Sequence, residues 1–210
     1  MTDRPILFSA PMVRALLAGT KTQTRRVVKG AALDWLSGPS GFNAEFVALP
    51  ENGLCPYGKP GDRLWVRETW SPDPPCDGTW GYTAWSGCRE GQIAGVPERF
   101  RHKQHCIYAA TWDHDPIRWT PSIHMPRWAS RITLEVTGVR VERLQDISEA
   151  DARSEGAPPS HPSIDRISRE FGYADFPRSW YGQLWESING SDSWDLNPWV
   201  WVVEFKGVAQ

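Results

Sequence analysis

The sequence predicts an α+β fold in which a mixed β-barrel carries peripheral helices. Residues 63–70 and 131–144 alternate between apolar and polar side chains, and residues 199–205 form an apolar final strand. Within 131–144 the apolar parity switches at Gly138, where a β-bulge restores one inward face and bends the strand. Because such bends let a sheet curl, we expect the strands to close into a barrel.

Length and composition limit the classes of protein to which this chain can belong. The 210 residues fit one domain with insertions. The 23 Lys and Arg against 25 Asp and Glu argue against a protein that coats nucleic acid electrostatically. Four cysteines give no dense disulfide framework, no apolar run reaches membrane length, and the first residues lack a signal-peptide pattern. We therefore expect a cytoplasmic protein. Most of the thirteen tryptophans are expected in the core, with one or two in a binding site.

The N-terminal elements lead into a polar run. Residues 6–8 predict a short strand, and Ser9 is placed to cap a helix that buries an apolar stripe. Gly19 suits a left-handed end to that helix. The strand predicted at 21–28 then alternates, with Thr24 and Arg26 on one face and Lys21, Gln23 and Arg25 on the other. Lys21 and Thr24 can cooperate only if Lys21 lies in the turn after Gly19, before the pleat begins.

The middle of the chain offers several polar candidates. Residues 30–54 predict a long surface loop and 60–62 a turn. Glu68 shares the inward parity of Leu64 and Val66, so it is a solvated strand end, a ligand contact at the barrel mouth, or the partner of a cation. Residues 119–128 are stiffened by two prolines and predict a pocket wall or a rigid structural loop. A zinc site is disfavoured because the candidate ligands lack metal-site spacing; they are Cys76, Cys88, His102, His105 and Cys106.

The C-terminal third supplies a carboxylate. Residues 146–156 predict a short helix with Ser148 as its N-cap, Asp151 completing a capping box and Gly156 as its stop. Glu155 lies in the last turn, where the negative end of the helix dipole is expected to raise the pKa of a carboxyl group. A raised pKa suits a group that donates a proton near neutral pH. A solvated glutamate at a frayed end is the alternative. Residues 157–176 predict a proline-rich connection. A helix at 177–188 follows, with Trp180, Leu184 and Ile188 on one stripe.

The motif Gly19-x-Lys21-x-x-Thr24-x-Arg26 resembles the signature of the ASCH domain family, a branch of the PUA-like folds. The threonine variant is similar to the small bacterial N4-acetylcytidine amidohydrolases of that family. The Gly61-Asp62 turn before a strand and the closing helix and strand resemble the family in the same order. The resemblance implies a PUA-like (ASCH) barrel over 1–210, with insertions at about 30–54, 71–106 and 157–176. It places the amidohydrolase glutamate at Glu155.

The resemblance implies an amidohydrolase that deacylates N4-acylated cytosine nucleosides such as N4-acetylcytidine, without metal or cofactor. Lys21, Thr24 and Glu155 are the predicted catalytic residues, with the Lys21 pKa lowered to roughly 7–8 by burial or by Arg25 and Arg26. The predicted partner is a modified pyrimidine nucleoside or short single-stranded RNA. Predicted substrate-binding residues are Arg26, Glu68, Trp70, Ser122, His124 and Arg127.

Two other functions stay open at the level of sequence. One is a non-catalytic module that binds RNA or a modified base in the same cleft. The other is a ribonuclease with His124 and Lys21 as acid–base candidates. A pure binder needs neither the Thr24 hydroxyl nor the Glu155 carboxyl. Other catalytic patterns are not found: the chain has no G-x-S-x-G, H-E-x-x-H or Walker sequence.

Overall fold

Five strands form the main sheet of the protein. The computed structural model describes residues 1–39, 41–73, 96, 98–114, 118–159, 166 and 176–208. The main strands are β1 (Asp3–Leu7), β2 (Gln23–Val27), β3 (Arg63–Arg67), β6 (Thr133–Arg143) and β7 (Trp199–Gly207). A separate two-stranded sheet pairs β4 (Trp70–Pro72) with β5 (Cys106–Tyr108). The helices are α1 (Ala10–Leu17), α2 (Ala31–Ser37), α3 (Ala44–Ala48), α4 (Glu149–Ser154) and α5 (Phe176–Asn189).

The main sheet has the order β1-β3-β6-β7-β2. β1 runs parallel to β3, and the other neighbours are antiparallel. The α+β class is confirmed. Among the described strands β1 and β2 remain at the two edges of the sheet, so closure into a barrel is not confirmed. A side chain bridges these edges, since Nη2 of Arg26 in β2 donates to the carbonyl of Leu7 in β1 at 2.7 Å.

The long strand β6 carries the bend predicted at Gly138. Its pairing with β7 shifts register between Val136 and Gly138. Leu134 and Val136 before the shift and Val141 after it all belong to one buried core cluster. The inserted residue therefore returns the apolar side chains of both halves to one face, as the parity switch predicts.

Residues 30–54 are not the loop that the sequence predicts. They form α2, α3 and a short 3-10 turn at Pro50–Asn52. Ala32 and Val47 are buried in the main core. Phe42 and Phe46 stack with ring centroids 4.9 Å apart, and Trp35 packs against both rings. Helices of seven and five residues show too few turns for a periodic pattern, which explains why composition alone pointed to a loop.

The two helices that flank the site differ in how well the sequence predicts them. In α4 the Ser148–Asp151 capping box forms, and Gly156 adopts a φ of 100° just after the helix. In α5 the fully buried residues are Pro177, Tyr181 and Trp185. The buried stripe therefore lies one position later in the chain than the predicted one, at Tyr181 and Trp185 in place of Trp180 and Leu184. Ile188, at the end of the predicted stripe, is 56% exposed.

Several predictions concern segments that lie largely outside the described residues. Most of the proposed insertion at 71–106 and of the connection at 157–176 belongs to them, including Cys76 and Cys88. Within the described ranges, none of the helices combines the length and the apolar character needed to cross a membrane.

Candidate active site

A cavity of about 650 Å³ lies between the edge strands β1 and β2. This volume is within the roughly 300–1,000 Å³ of small-molecule pockets. Residues 5–8 line it on the β1 side and residues 24–27 on the β2 side, while the C-terminal half of α5 adds further side chains. The polar residues that line it include Lys21, Thr24, Arg25, Arg26, Glu155 and Tyr181.

Lys21 occupies the position that cooperation with Thr24 requires. It precedes β2, and its backbone forms an isolated bridge with Glu155. Gly19, which turns the chain after α1, has a φ of 71°. The Lys21 side chain is buried, with 3% of the residue exposed. Its Nζ donates to Oε2 of Glu155 at 2.6 Å and to the Glu155 backbone carbonyl at 2.9 Å.

Burial lowers the pKa of Lys21 below its ordinary value of 10.5. The Glu155 carboxylate opposes this shift, because a neighbouring negative charge favours the ammonium form. The positive charges of Arg26 and Arg25 lower the pKa further. The net direction is the one that a general base near neutral pH needs.

Glu155 lies between two cations. Its Oε1 accepts a hydrogen bond from Nη1 of Arg25 at 3.2 Å, opposite the Lys21 contact. Arg25 is 1% exposed, and its Nε and Nη2 donate to Oε1 of Glu142 at 3.0 Å and 2.5 Å. Glu155 is therefore buried and ion-paired, which excludes the solvated, frayed helix end considered from the sequence.

Thr24 and Arg26 also line the cavity. Thr24 is buried within β2, opposite Val203 of β7. Arg26 is half-buried, and its guanidinium lies 5.3 Å from the Phe8 ring centroid. The same guanidinium donates to the carbonyl of Leu7. The sequence predicts that Arg26 binds substrate. In the structure Arg25 holds Glu155, and Arg26 remains at the cavity wall.

Aromatic side chains complete the walls. They are Phe8, Tyr57, Tyr181 and Trp185. The ring of Tyr181 faces the Arg25 guanidinium at 5.8 Å. Burial and the Glu155 charge raise the Tyr181 pKa well above its ordinary value, so the phenol stays protonated. Such rings offer flat surfaces on which a nucleobase can stack.

Glu68 and Trp70 do not reach the cavity. Glu68 is 1% exposed and forms two hydrogen bonds with Arg131, at 2.8 Å and 2.9 Å, which is the cationic partner allowed by the sequence. Burial raises the Glu68 pKa, and Arg131 partly opposes that shift. Trp70 is fully buried in a cluster with Tyr108 and Met125. Neither is among the described residues that line the cavity, so both act as core residues.

The segment 119–128 contributes one side chain to the cavity. It forms two 3-10 turns, Ser122–His124 and Arg127–Ala129, and Ser122 lines the cavity. His124 is exposed, and Arg127 pairs with Asp3 at 3.4 Å. His124 and Arg127 are not among the described lining residues. The acid–base pair of the ribonuclease hypothesis, His124 with Lys21, is therefore not brought together.

The described residues contain no group of three or more His, Cys, Asp or Glu side chains arranged to hold a metal ion. Cys55 and Cys106 are half-buried free thiols. Burial raises the pKa of the Cys106 thiol to about 12.

The sequence did not indicate the Arg25 contact with Glu155 or the aromatic wall residues, Tyr181 among them. A signal for Arg25 was present, because alternation puts it on the face of Lys21 and Gln23. For Tyr181 the pattern predicts the helix but not which of its faces is buried.

Comparisons with known proteins leave the family open. No family model matches the chain, and none of the curated proteins matches it. Among solved structures, a similar one is the crystal structure of an ASCH domain from Lactobacillus crispatus JV V101. The alignment covers 98% of this chain and 79% of that one, at 11% identity and a TM-score of 0.37. Membership of a family is not established at this level of similarity.

Proposed function

We propose that the protein is an amidohydrolase that removes the acyl group from N4-acylated cytosine nucleosides, with N4-acetylcytidine as the type substrate. One observation carries the proposal. An amine, a hydroxyl and a carboxylate, those of Lys21, Thr24 and Glu155, line one cavity although they come from distant parts of the chain. The ASCH-like motif, which includes Lys21 and Thr24, supports the same assignment.

The charge arrangement supports a proton-transfer role for the pair. Nζ of Lys21 and Oε2 of Glu155 are 2.6 Å apart, within the range for direct proton transfer. Burial and the two neighbouring arginines favour the neutral amine, which is the form that can accept a proton. A binding module has no need for this arrangement, because a fully protonated lysine would serve it equally well.

In the proposed reaction the Thr24 hydroxyl attacks the acyl carbon or positions the water that does so. Lys21 takes the proton released from the attacking oxygen. Glu155 receives that proton and delivers it to the exocyclic nitrogen as the C–N bond breaks.

If Thr24 attacks directly, its acyl ester is then hydrolysed by water. By either route one water molecule is consumed, and the products are the carboxylic acid and the cytosine nucleoside. Among the aromatic wall residues, Tyr57 is half-buried and can contact the base, and Arg26 provides a cation for a polar edge.

The direct test is to incubate the purified protein with N4-acetylcytidine and follow deacetylation by absorbance. Lys21→Ala and Thr24→Ala are expected to reduce kcat by roughly 10²–10⁴-fold. Thr22→Ala is the matched control, because Thr22 is exposed next to β2 and is not among the described residues that line the cavity. It is expected to retain wild-type turnover.

Absence of turnover above the Lys21→Ala and Thr24→Ala variants would remove the amidohydrolase proposal. Binding of the nucleoside or of a short RNA without turnover, measured by titration calorimetry, would then support the non-catalytic function. Equal activity of the Thr24→Ala variant and the wild type would exclude the assigned role of the hydroxyl.

A further inference from the structure

We infer that Arg25 is a positioning residue of this site, holding the Glu155 carboxylate against Lys21 while it is itself held by Glu142. The inference rests on the proposed function and deepens it. Arg25 lies outside the resemblance motif, whose positions are Gly19, Lys21, Thr24 and Arg26. The evidence comes from the contacts of its guanidinium.

The guanidinium of Arg25 faces three carboxylates. It donates from Nη1 to Glu155 and from Nε and Nη2 to Glu142, and Nη2 is also 3.5 Å from Oδ2 of Asp151. Its side chain is fully buried. A planar fork with five donors is suited to span several oxygens in fixed directions, which a lysine ammonium cannot do.

Glu155 divides its two oxygens between two cations. Oε2 accepts from Lys21 at 2.6 Å and Oε1 from Arg25 at 3.2 Å. Rotation of the carboxylate breaks at least one of these bonds in a buried site, where lost charge pairing is costly. Arg25 thereby fixes the direction in which Oε2 meets the Lys21 amine.

Arg25 is fixed in turn by charges that stay out of the cavity. Glu142 in β6 also accepts from Nε of Arg140 at 3.0 Å, and Arg140 bonds Asp151 and Glu204. Neither Glu142 nor Arg140 is among the described residues that line the cavity. Glu142 therefore acts on the cavity from outside it, and Arg25 is the lining residue to which its side chain bonds. Within the described ranges, the side-chain bond of Glu204 is the one to Arg140.

Arg25 also acts on Lys21 through its charge. Among the described residues, the charged groups that act on the Lys21 amine are Glu155, Arg26 and Arg25, and the titratable Tyr181 lines the same cavity. Removal of Arg25 takes away a positive neighbour and leaves Glu155 paired with Lys21 alone. Both changes favour the ammonium form, so the Lys21 pKa is expected to rise.

The first test measures the titration midpoint of Lys21 by NMR on protein with isotope-labelled lysine, independently of turnover. Arg25→Met is expected to move this midpoint to higher pH, whereas Arg25→Lys keeps the charge and should leave it near the wild-type value. For both variants we expect kcat to fall by roughly 10–100-fold, because neither side chain can bridge Glu155 and Glu142. An unchanged midpoint in a folded Arg25→Met variant would overturn the inference.

The second test uses Glu142→Gln, which leaves the Arg25 side chain unchanged and replaces the carboxylate that holds it. It is expected to lower kcat about tenfold while KM stays within about twofold. Glu204→Gln, the matched control at the outer end of the network, should keep wild-type kcat. Wild-type kcat in a folded Glu142→Gln variant would overturn the inference. If the wild type does not deacylate N4-acetylcytidine, the proposed function fails, and the NMR midpoint alone decides the role of Arg25.

Discussion

At the scale of single residues, Lys21 shows how one nitrogen is subject to opposed influences. Burial and two arginines favour its neutral form, while the Glu155 carboxylate 2.6 Å away favours its charged form. Together these influences lower the pKa of Lys21 below its ordinary value. In the proposed reaction Thr24 depends on Lys21 to remove its proton. The rate of the proposed reaction should therefore depend on the protonation state of Lys21.

This dependence predicts the pH profile of the reaction. Only the neutral amine accepts a proton, so kcat/KM should rise about tenfold per pH unit below the Lys21 pKa and level off above it. Because that pKa is lowered, the plateau should begin below the ordinary value of 10.5. Steady-state rates of N4-acetylcytidine deacetylation across the pH range test this. A profile that falls with rising pH through this region contradicts a base role for Lys21.

At the scale of elements, the end of α4 places the carboxylate. The capping box of Ser148 and Asp151 fixes the start of the helix, and Glu155 is its C-cap residue. Gly156 then turns the chain with a φ of 100°, and a Cβ at this glycine would lie 3.1 Å from Cβ of Ala15 in α1. The close approach of α1 and the end of α4 therefore requires a glycine at this position.

Gly156→Ala should lower the free energy of unfolding by about 1–2 kcal/mol through backbone strain. It should also lower kcat by roughly an order of magnitude, because the shifted backbone displaces Glu155. Gly61→Ala is the control: its φ is 90°, but nothing lies within 4 Å of the added Cβ. This variant should lose similar stability in urea unfolding and keep its kcat. Equal kcat values for the two variants would contradict the positional argument.

The elements also show what the sequence could predict. The bulge in β6 was predictable because one residue, Gly138, separates two apolar parities. The α4 cap was predictable because it is local, with Ser148 and Asp151 three residues apart. The phase of α5 was not, since Tyr181 is buried beside a charged network that the rest of the chain supplies. Tertiary packing decided that orientation.

At the scale of the whole molecule, one charge network joins β2, β6, β7 and α4. Asp151 of α4 accepts from Gln23 and Arg140, which come from two different strands. Burial raises the pKa of Asp151, but the bonds from Ser148 and Gln23 and the charges of Arg25 and Arg140 outweigh it, and the pKa falls to about 2. Folding is therefore linked to the charged form of this carboxylate.

This linkage gives a prediction for acid stability. A carboxyl whose pKa falls from 3.8 to about 2 on folding stabilises the protein above about pH 4, and the contribution is lost as the pH falls toward 2. Asp151→Asn should cost about 1–2 kcal/mol near neutral pH, allowing for its partial exposure. The difference from wild type in urea unfolding should shrink below about pH 4.

The exposed Asp146→Asn serves as control, and its free energy of unfolding should differ little from that of the wild type. A difference for Asp151→Asn that is constant with pH would contradict the linkage.

The site as a whole was only partly predictable. Lys21 and Thr24 lie in one short motif, and a local helix end pointed to Glu155. That Arg25, and not Arg26, contacts Glu155 depends on a contact across 130 residues. The positions of Glu68 and Trp70 outside the cavity were not predictable for a related reason, since their buried partners Arg131 and Tyr108 belong to other segments.

A main-chain bond lies beside the Lys21–Glu155 pair, from the amide of Thr22 to the carbonyl of Ser154 at 2.8 Å. Because this amide is hydrogen-bonded, solvent deuterium replaces its proton when the bond to Ser154 opens. Thr22 is exposed, so solvent reaches the amide as soon as the two segments separate. The exchange rate at this one position therefore reports how often the two halves of the site come apart, even while the central sheet stays intact.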